Sequence, residues 1–315
     1  MNKNVLIAIL ILCAAIICTS CDKENEEPIT VGIEGISFEN YPRVNGSTST
    51  DPLNCLIAAK LLGLEYTWAG GVMSFAEYSY ELMEKLQTSQ THGAIINLID
   101  NQTDLIIVAR KMSTSEKQYA DNAGVSLIET PIALDALDFI VHAENPVNSL
   151  SVEQIQQIYL GNIINWSDVG GENEEIIPFI RNKNSGSQEM MNELVMDHAG
   201  MPNWGVSLTD EIVIWSMASV YLEISVHRNG ICFTPHYYKE YMVPESYTRD
   251  VETLAVNGIK ADKNSIKNKT YPFVANVYVS IRSDTDTNSM TYKLYEWLQS
   301  EAGKNVIAES GYVPN

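Results

Sequence analysis

Short apolar runs alternate with stretches of helical period along most of this chain, a pattern that predicts an α/β protein with mostly parallel sheets. Ile33–Phe38 reads as an opening strand, and Pro52 stands near the first turn of a predicted helix over Leu53–Leu62, where proline is tolerated. Asp104 to Arg110 has the pattern of a buried strand with a charged residue at its exit. Ser113-Thr-Ser-Glu116 has the spacing of a capping box and predicts a helix over Glu116–Ala123. Leu127–Ile132 and Ala136–Val141 are β-rich runs.

Beyond the turn at Asn145-Pro146, the pattern predicts a helix over Val152–Tyr159 ended by Gly161, a tight loop over Trp166–Gly171 and a strand over Ile176–Ile180. Gln188–Val195 and Glu211–Val220 read as helices and Gly230–Thr234 as a short strand. Thr291–Gln299 is the last clear helical stretch, and no internal repeat is visible.

The amino terminus departs from this alternation. Lys3 precedes an unbroken apolar run of 13 residues, Val5 to Ile17, which suits the core of a signal peptide and is short for a bilayer span. Cys18-Thr-Ser-Cys21 and the polar stretch Asp22 to Pro28 follow. A small residue before a cysteine and then a charged tether resembles a bacterial lipobox, with Cys where Leu is usual at position 18. Residues 1–20 are therefore expected to be a lipoprotein signal peptide, Cys21 the lipidated first residue, and 21–30 a tether. Either cleavage pattern implies export.

The formal net charge of −20 argues against nucleic acid or an anionic membrane surface as a partner. A small anion is not excluded, because local dipoles and one or two arginines set the potential inside a cleft. Cys55 and Cys232 are too far apart to imply a disulfide framework, and Cys55 lies on an apolar helix face as a buried thiol.

Two segments carry candidate chemistry. Phe179 to Ser187 offers one fixed cation, Arg181, two hydroxyls, Ser185 and Ser187, and Gly186, just ahead of a predicted helix. An oxyanion wants such donors beside unpaired helix amides. Val44 to Pro52 repeats the idea with four hydroxyls, Ser47, Thr48, Ser49 and Thr50. Two anion-cradling loops suggest a site closed from both sides.

Taken in order, Gly46 to Pro52, Asp104 to Glu116, Pro131 to Ala136, Asn145 to Leu150, Ile155 to Trp166, Arg181 to Gln188, Asn229 to Phe233 and the region from Trp297 to Pro314 make a recognisable set. The chain resembles the periplasmic phosphate-binding protein family of Pst-type ABC transporters, within the type 2 periplasmic-binding superfamily, over nearly its whole mature length. The resemblance implies two α/β lobes with ligand between them, joined by crossovers near Glu129–Ile140 and Ile231–Tyr237. Residues 31–130 plus 238–315 would form one lobe and 131–237 the other. Arg181, Ser185, Gly186 and Ser187 match the family's Arg…Ser-Gly-Thr motif, with Ser187 keeping the hydroxyl. Thr91 falls where the family places a hydroxyl residue at a helix start, and its neighbour His92 reads as a solvated loop residue. Arg110 stands where some members carry an aspartate and others arginine. It would be a second cation or pair with an acid such as Asp135.

What the resemblance implies is a solute-binding lipoprotein that captures an inorganic oxyanion, phosphate first, for an ABC permease. The protein would be exported, held at a membrane by the lipid alone, monomeric, and free of cofactor or metal. A tethered anion sensor, or a surface protein for sulfate, molybdate or an organic anion, is the alternative. No Gly-x-Ser-x-Gly, His-Glu-x-x-His or mature Cys-x-x-Cys motif supports an enzyme. Tyr237, Tyr238, Tyr241 and His236 either line the cleft mouth or pack against the hinge.

Overall fold

The structure, a computed structural model, describes residues 32–69, 72–75, 80–182, 185–197, 213–214 and 216–315. The expected signal peptide, the tether and Cys21 lie outside the described residues. The architecture is α/β and two-lobed, built on one strand, Leu127–His142, that serves both lobes. Its first part, Leu127–Ala136, pairs antiparallel with Val274–Arg282, and its second part, Leu137–Val141, pairs antiparallel with Gly230–Pro235. On the first side the sheet continues through Leu105–Val108 to Val44–Gly46, and on the second to Ile177–Pro178.

The sheet is therefore mixed rather than mostly parallel. Only the outer pairings, Val44–Gly46 with Leu105–Val108 and Gly230–Pro235 with Ile177–Pro178, are parallel. Strands that cross between lobes run out and back, so they meet head to tail. From Ile132 to His142 the long strand is buried throughout, and it reads as a near-continuous apolar run for that reason. The two expected runs form one strand across Asp135, whose Oδ1 accepts from the N–H groups of Ala136 and Tyr237 while its buried Oδ2 has no hydrogen-bond partner among the described residues.

Each side has its own core. Leu53, Ile57, Leu105, Val277 and Leu294 pack together on one. On the other, Phe139, Tyr159, Phe233 and Phe273 meet with ring centroids 5.7–6.3 Å apart, and burying each contributes about 1.5–3 kcal/mol. Leu254, Val256, Tyr271 and Phe273 belong to this second core, and Val251–Thr253 pairs with Ile140–His142. Residues 251–273 thus pack on the side of the second core, and Val274–Arg282 returns along Leu127–Ala136. The apolar surface of this late segment matches the aromatic core, which no local pattern reveals.

Local signals place several helices. Ser113 and Ser151 close capping boxes with Glu116 and Gln154 for the helices Thr114–Asn122 and Val152–Tyr159. Three expectations differ. Ile33–Phe38 lies in turns, where Asn40 Nδ2 donates to Gly35 O at 2.7 Å; the first strand is Val44–Gly46. Within 211–220, Val213–Ile214 is a strand beside Ile180–Arg181, as its β-branched residues favour, and the helix is Ser219–Val226. Met290–Trp297 is followed by a further helix, Glu301–Ser310, capped by Ser300. No helix among the described residues is long and apolar enough to cross a membrane.

Candidate functional site

A cavity of about 300 Å³ opens between the lobes, lined by both hydroxyl-bearing loops. On one wall the strand Val44–Gly46 delivers Ser47 to the sheet's end, and the turn Thr48–Thr50 leads into the helix Asp51–Leu62 with Pro52 in its first turn. Gly46 has no room for a side chain: a Cβ would stand 2.6 Å from Asn54 Nδ2 and 2.7 Å from Ile107 O. Ser47 Oγ accepts from the Ala109 N–H at 3.1 Å and lies 2.7 Å from Thr91 Oγ1. That mutual contact uses one of the two hydroxyl protons, so the pair keeps one O–H to offer a guest.

Thr91 sits in the first turn of the helix Gln90–Ile99, and both Gln90 and Thr91 line the same space. Ser47, Thr48, Ser49 and Thr91 all line the cavity. Thr50 does not: its hydroxyl is 2.6 Å from Ile107 O and 3.0 Å from Ser47 O, so its proton serves the backbone.

The opposite wall carries the charge. Arg181 leaves the strand Ile180–Arg181 nine-tenths buried or more, at 3% exposure. Gln188 folds the loop around it, since its Oε1 accepts from the Arg181 N–H at 2.8 Å and its own N–H reaches Ser185 Oγ at 3.4 Å. Ser185, Gly186 and Ser187 start the helix Gly186–Met190, which runs on as the π-helix Met191–Val195. A Cβ at Gly186 would fall 2.3 Å from Thr91 Oγ1, so glycine is what allows the two walls to meet. Burial pulls the Arg181 guanidinium below the usual arginine range, because charge is costly away from water; an anion beside it would offset that cost. None of the described lining residues is a carboxylate.

Arg110 is placed elsewhere. It does not line the cavity, and it binds Glu116 in a fork at 2.6 and 2.9 Å. Neither the second-cation role nor a pair with Asp135 describes it; Asp135 is held by the backbone instead. His92 is on the helix rather than in a loop, with Nδ1 2.8 Å from Glu116 Oε1. Cys55 is half-buried, and burial pushes its thiol up to about 12.

Sequence reasoning missed Gln90, Ala109, Asn182, Pro235 and Ser216 to Ala218, which also line the cavity. Ser216 to Ala218 lead into the helix Ser219–Val226, the same hydroxyl-before-helix signal as the other loops, hidden by the helix expected over 211–220. The tyrosines divide. Tyr238 lines the cavity, whereas Tyr237 stacks on Tyr312 with centroids 3.7 Å apart.

Two lobes sharing crossover strands around a cleft of neutral donors and one buried arginine define a binding-protein fold. Residues 64–302 match the family model of the PBP superfamily domain, and the chain belongs to that family. Among curated relatives, it is 25% identical to the phosphate-binding protein PstS of Borreliella burgdorferi, over 59% of this chain and 65% of that protein. It is 24% identical to PstS of Pseudomonas aeruginosa, over 73% of each. Among solved structures, an ABC-type phosphate transport receptor from Vibrio cholerae superposes with a TM-score of 0.58 at 22% identity, covering 86% of this chain and 98% of that one. A provisionally assigned phosphate ABC transporter substrate-binding protein from Clostridium perfringens, solved with phosphate bound, gives 0.62 at 22% identity, covering 89% and 99%. At these identities the structural likeness is one of fold.

Proposed function

We propose that this chain is the solute-binding component of an ABC importer and captures inorganic phosphate in the cleft between its lobes. The observation that carries the reading is the convergence of buried Arg181 with hydroxyls from both walls on one cavity. Relatives named for phosphate binding support the choice of anion. Capture at about 1 μM needs roughly −8 kcal/mol. Six to eight donors to a charged group, at about 1.5–3 kcal/mol each, exceed that after ordering costs.

Lobe closure buries the anion, excludes water and strengthens each contact. It also creates the shape that a permease distinguishes from the open form. The ligand is bound and released unchanged. In this reading the protein is exported as a monomer and anchored through Cys21. Isothermal titration of the chain lacking residues 1–21, stripped of bound anion, tests it against phosphate, sulfate and molybdate. Phosphate binding that disappears in Arg181→Ala supports the assignment; absence of binding to any of the three overturns it.

A further inference from the structure

Glu116 is a buried acid close to the site, and it does not line the cavity. Its side chain is 1% exposed, against 4% for Arg110. Arg110 Nη1 and Nη2 meet its two oxygens, and Nη1 also donates to Lys111 O at 2.7 Å. Oε2 accepts from the Ser113 N–H at 2.7 Å, and Oε1 faces His92 Nδ1 at 2.8 Å. Burial opposes the charge on this carboxyl, but the guanidinium, the Ser113 N–H and His92 together hold the group below the usual carboxylate range.

The partners of Glu116 are the immediate neighbours of site residues. Arg110 follows Ala109, whose N–H donates to Ser47 Oγ; His92 follows Thr91, whose hydroxyl meets Ser47. The contacts therefore close a ring: Glu116 to Arg110, Ala109 to Ser47, Ser47 to Thr91, and His92 back to Glu116. Three segments distant in sequence are fixed against one another by a single carboxylate. A one-ångström error in either hydroxyl would weaken its bond to a guest steeply.

We infer that Glu116, through Arg110 and His92, is a positioning residue that sets the Ser47–Thr91 hydroxyl pair for anion binding. Arg110 thereby serves the site as a strut rather than as a ligand. The inference rests on the phosphate reading above.

Glu116→Gln separates this role from helix capping, because glutamine at the third helical position also completes a capping box. Phosphate titration is run on the wild type, Glu116→Gln, Thr91→Ala and the double variant, with Arg181→Ala as control. Glu116→Gln is expected to weaken phosphate about tenfold in the wild-type background and less than about twofold when Thr91 is already alanine. Equal losses in both backgrounds, or no loss in either, overturn the inference while wild-type binding and the Arg181→Ala loss leave the phosphate reading standing. A wild type that does not bind phosphate overturns both. If Glu116→Gln lowers the melting temperature, His92→Ala decides. That side chain is 39% exposed. A loss of about threefold or more supports the ring, and unchanged affinity overturns it.

Discussion

The two walls of the cleft solve the same problem differently. The wall of Ser47, Thr48, Ser49 and Thr91 brings neutral donors alone, held by hydrogen bonds that run back to a buried ion pair. The wall of Arg181 and Ser185 to Ser187 brings the charge, held by packing and by the two contacts of Gln188. Precision and attraction come from different walls. A guanidinium attracts an anion over several ångströms, so its loop needs only modest order. Neutral hydroxyls contribute only at hydrogen-bond distance, so theirs must be rigid.

That division predicts an asymmetric response to substitution. Removing the charge is the largest change: Arg181→Ala is expected to weaken phosphate at least about 100-fold, roughly 3 kcal/mol, by titration calorimetry. A loss below tenfold would mean that the hydroxyl wall carries the affinity, reversing the comparison.

The junction between the walls responds to pH. Asp135 bonds the Tyr237 N–H, next to Tyr238 of the charged wall, and burial pushes its carboxyl up to about 6. Between about pH 4 and 6 the native chain keeps a proton that the unfolded chain has released, so this group's contribution falls as pH rises. At neutral pH the loss approaches about 3 kcal/mol. Melting curves of wild type and Asp135→Asn should diverge across that window, the wild type losing stability relative to the variant as pH climbs. Parallel curves would refute the assignment.

Contact between the walls is the next test. In Gly186→Ala the added methyl meets Thr91 Oγ1, an overlap costing about 1–3 kcal/mol, so phosphate affinity should fall about tenfold or more. Unchanged affinity would show that the walls do not meet this closely when loaded. The smallest effect is expected within the neutral wall. Thr50→Val should cost about 1 kcal/mol of stability in denaturant unfolding and change the phosphate Kd less than about twofold. A larger binding loss would place that hydroxyl on the ligand after all.

Much of the site was legible because its signals are local. Hydroxyls ahead of a helix, an arginine six residues before Ser187, and capping boxes at Ser113 and Ser151 need only a few neighbouring residues to act. Thr50 shows the limit. Its hydroxyl is chemically the same as those of its neighbours, and its shorter hydrogen bond goes to the carbonyl of Ile107, 57 positions away, which the local sequence does not reveal. The late segment 251–273 shows it for the fold, since its apolar residues would suit either core and Phe139 and Tyr159 decide which.

The sequence on its own carries the alternation of strands and helices, the two hydroxyl-bearing loops ahead of helices and the excess of negative charge. Those follow from backbone geometry and from each residue's own chemistry. Tertiary structure alone decided which hydroxyls face the cavity, that Arg110 is spent on Glu116, and that Gly186 must stay bare for Thr91 to approach. Each of these is a distance between residues far apart in the chain, and hydrogen bonds, ion pairs and steric overlap depend on distance in space rather than on order in sequence.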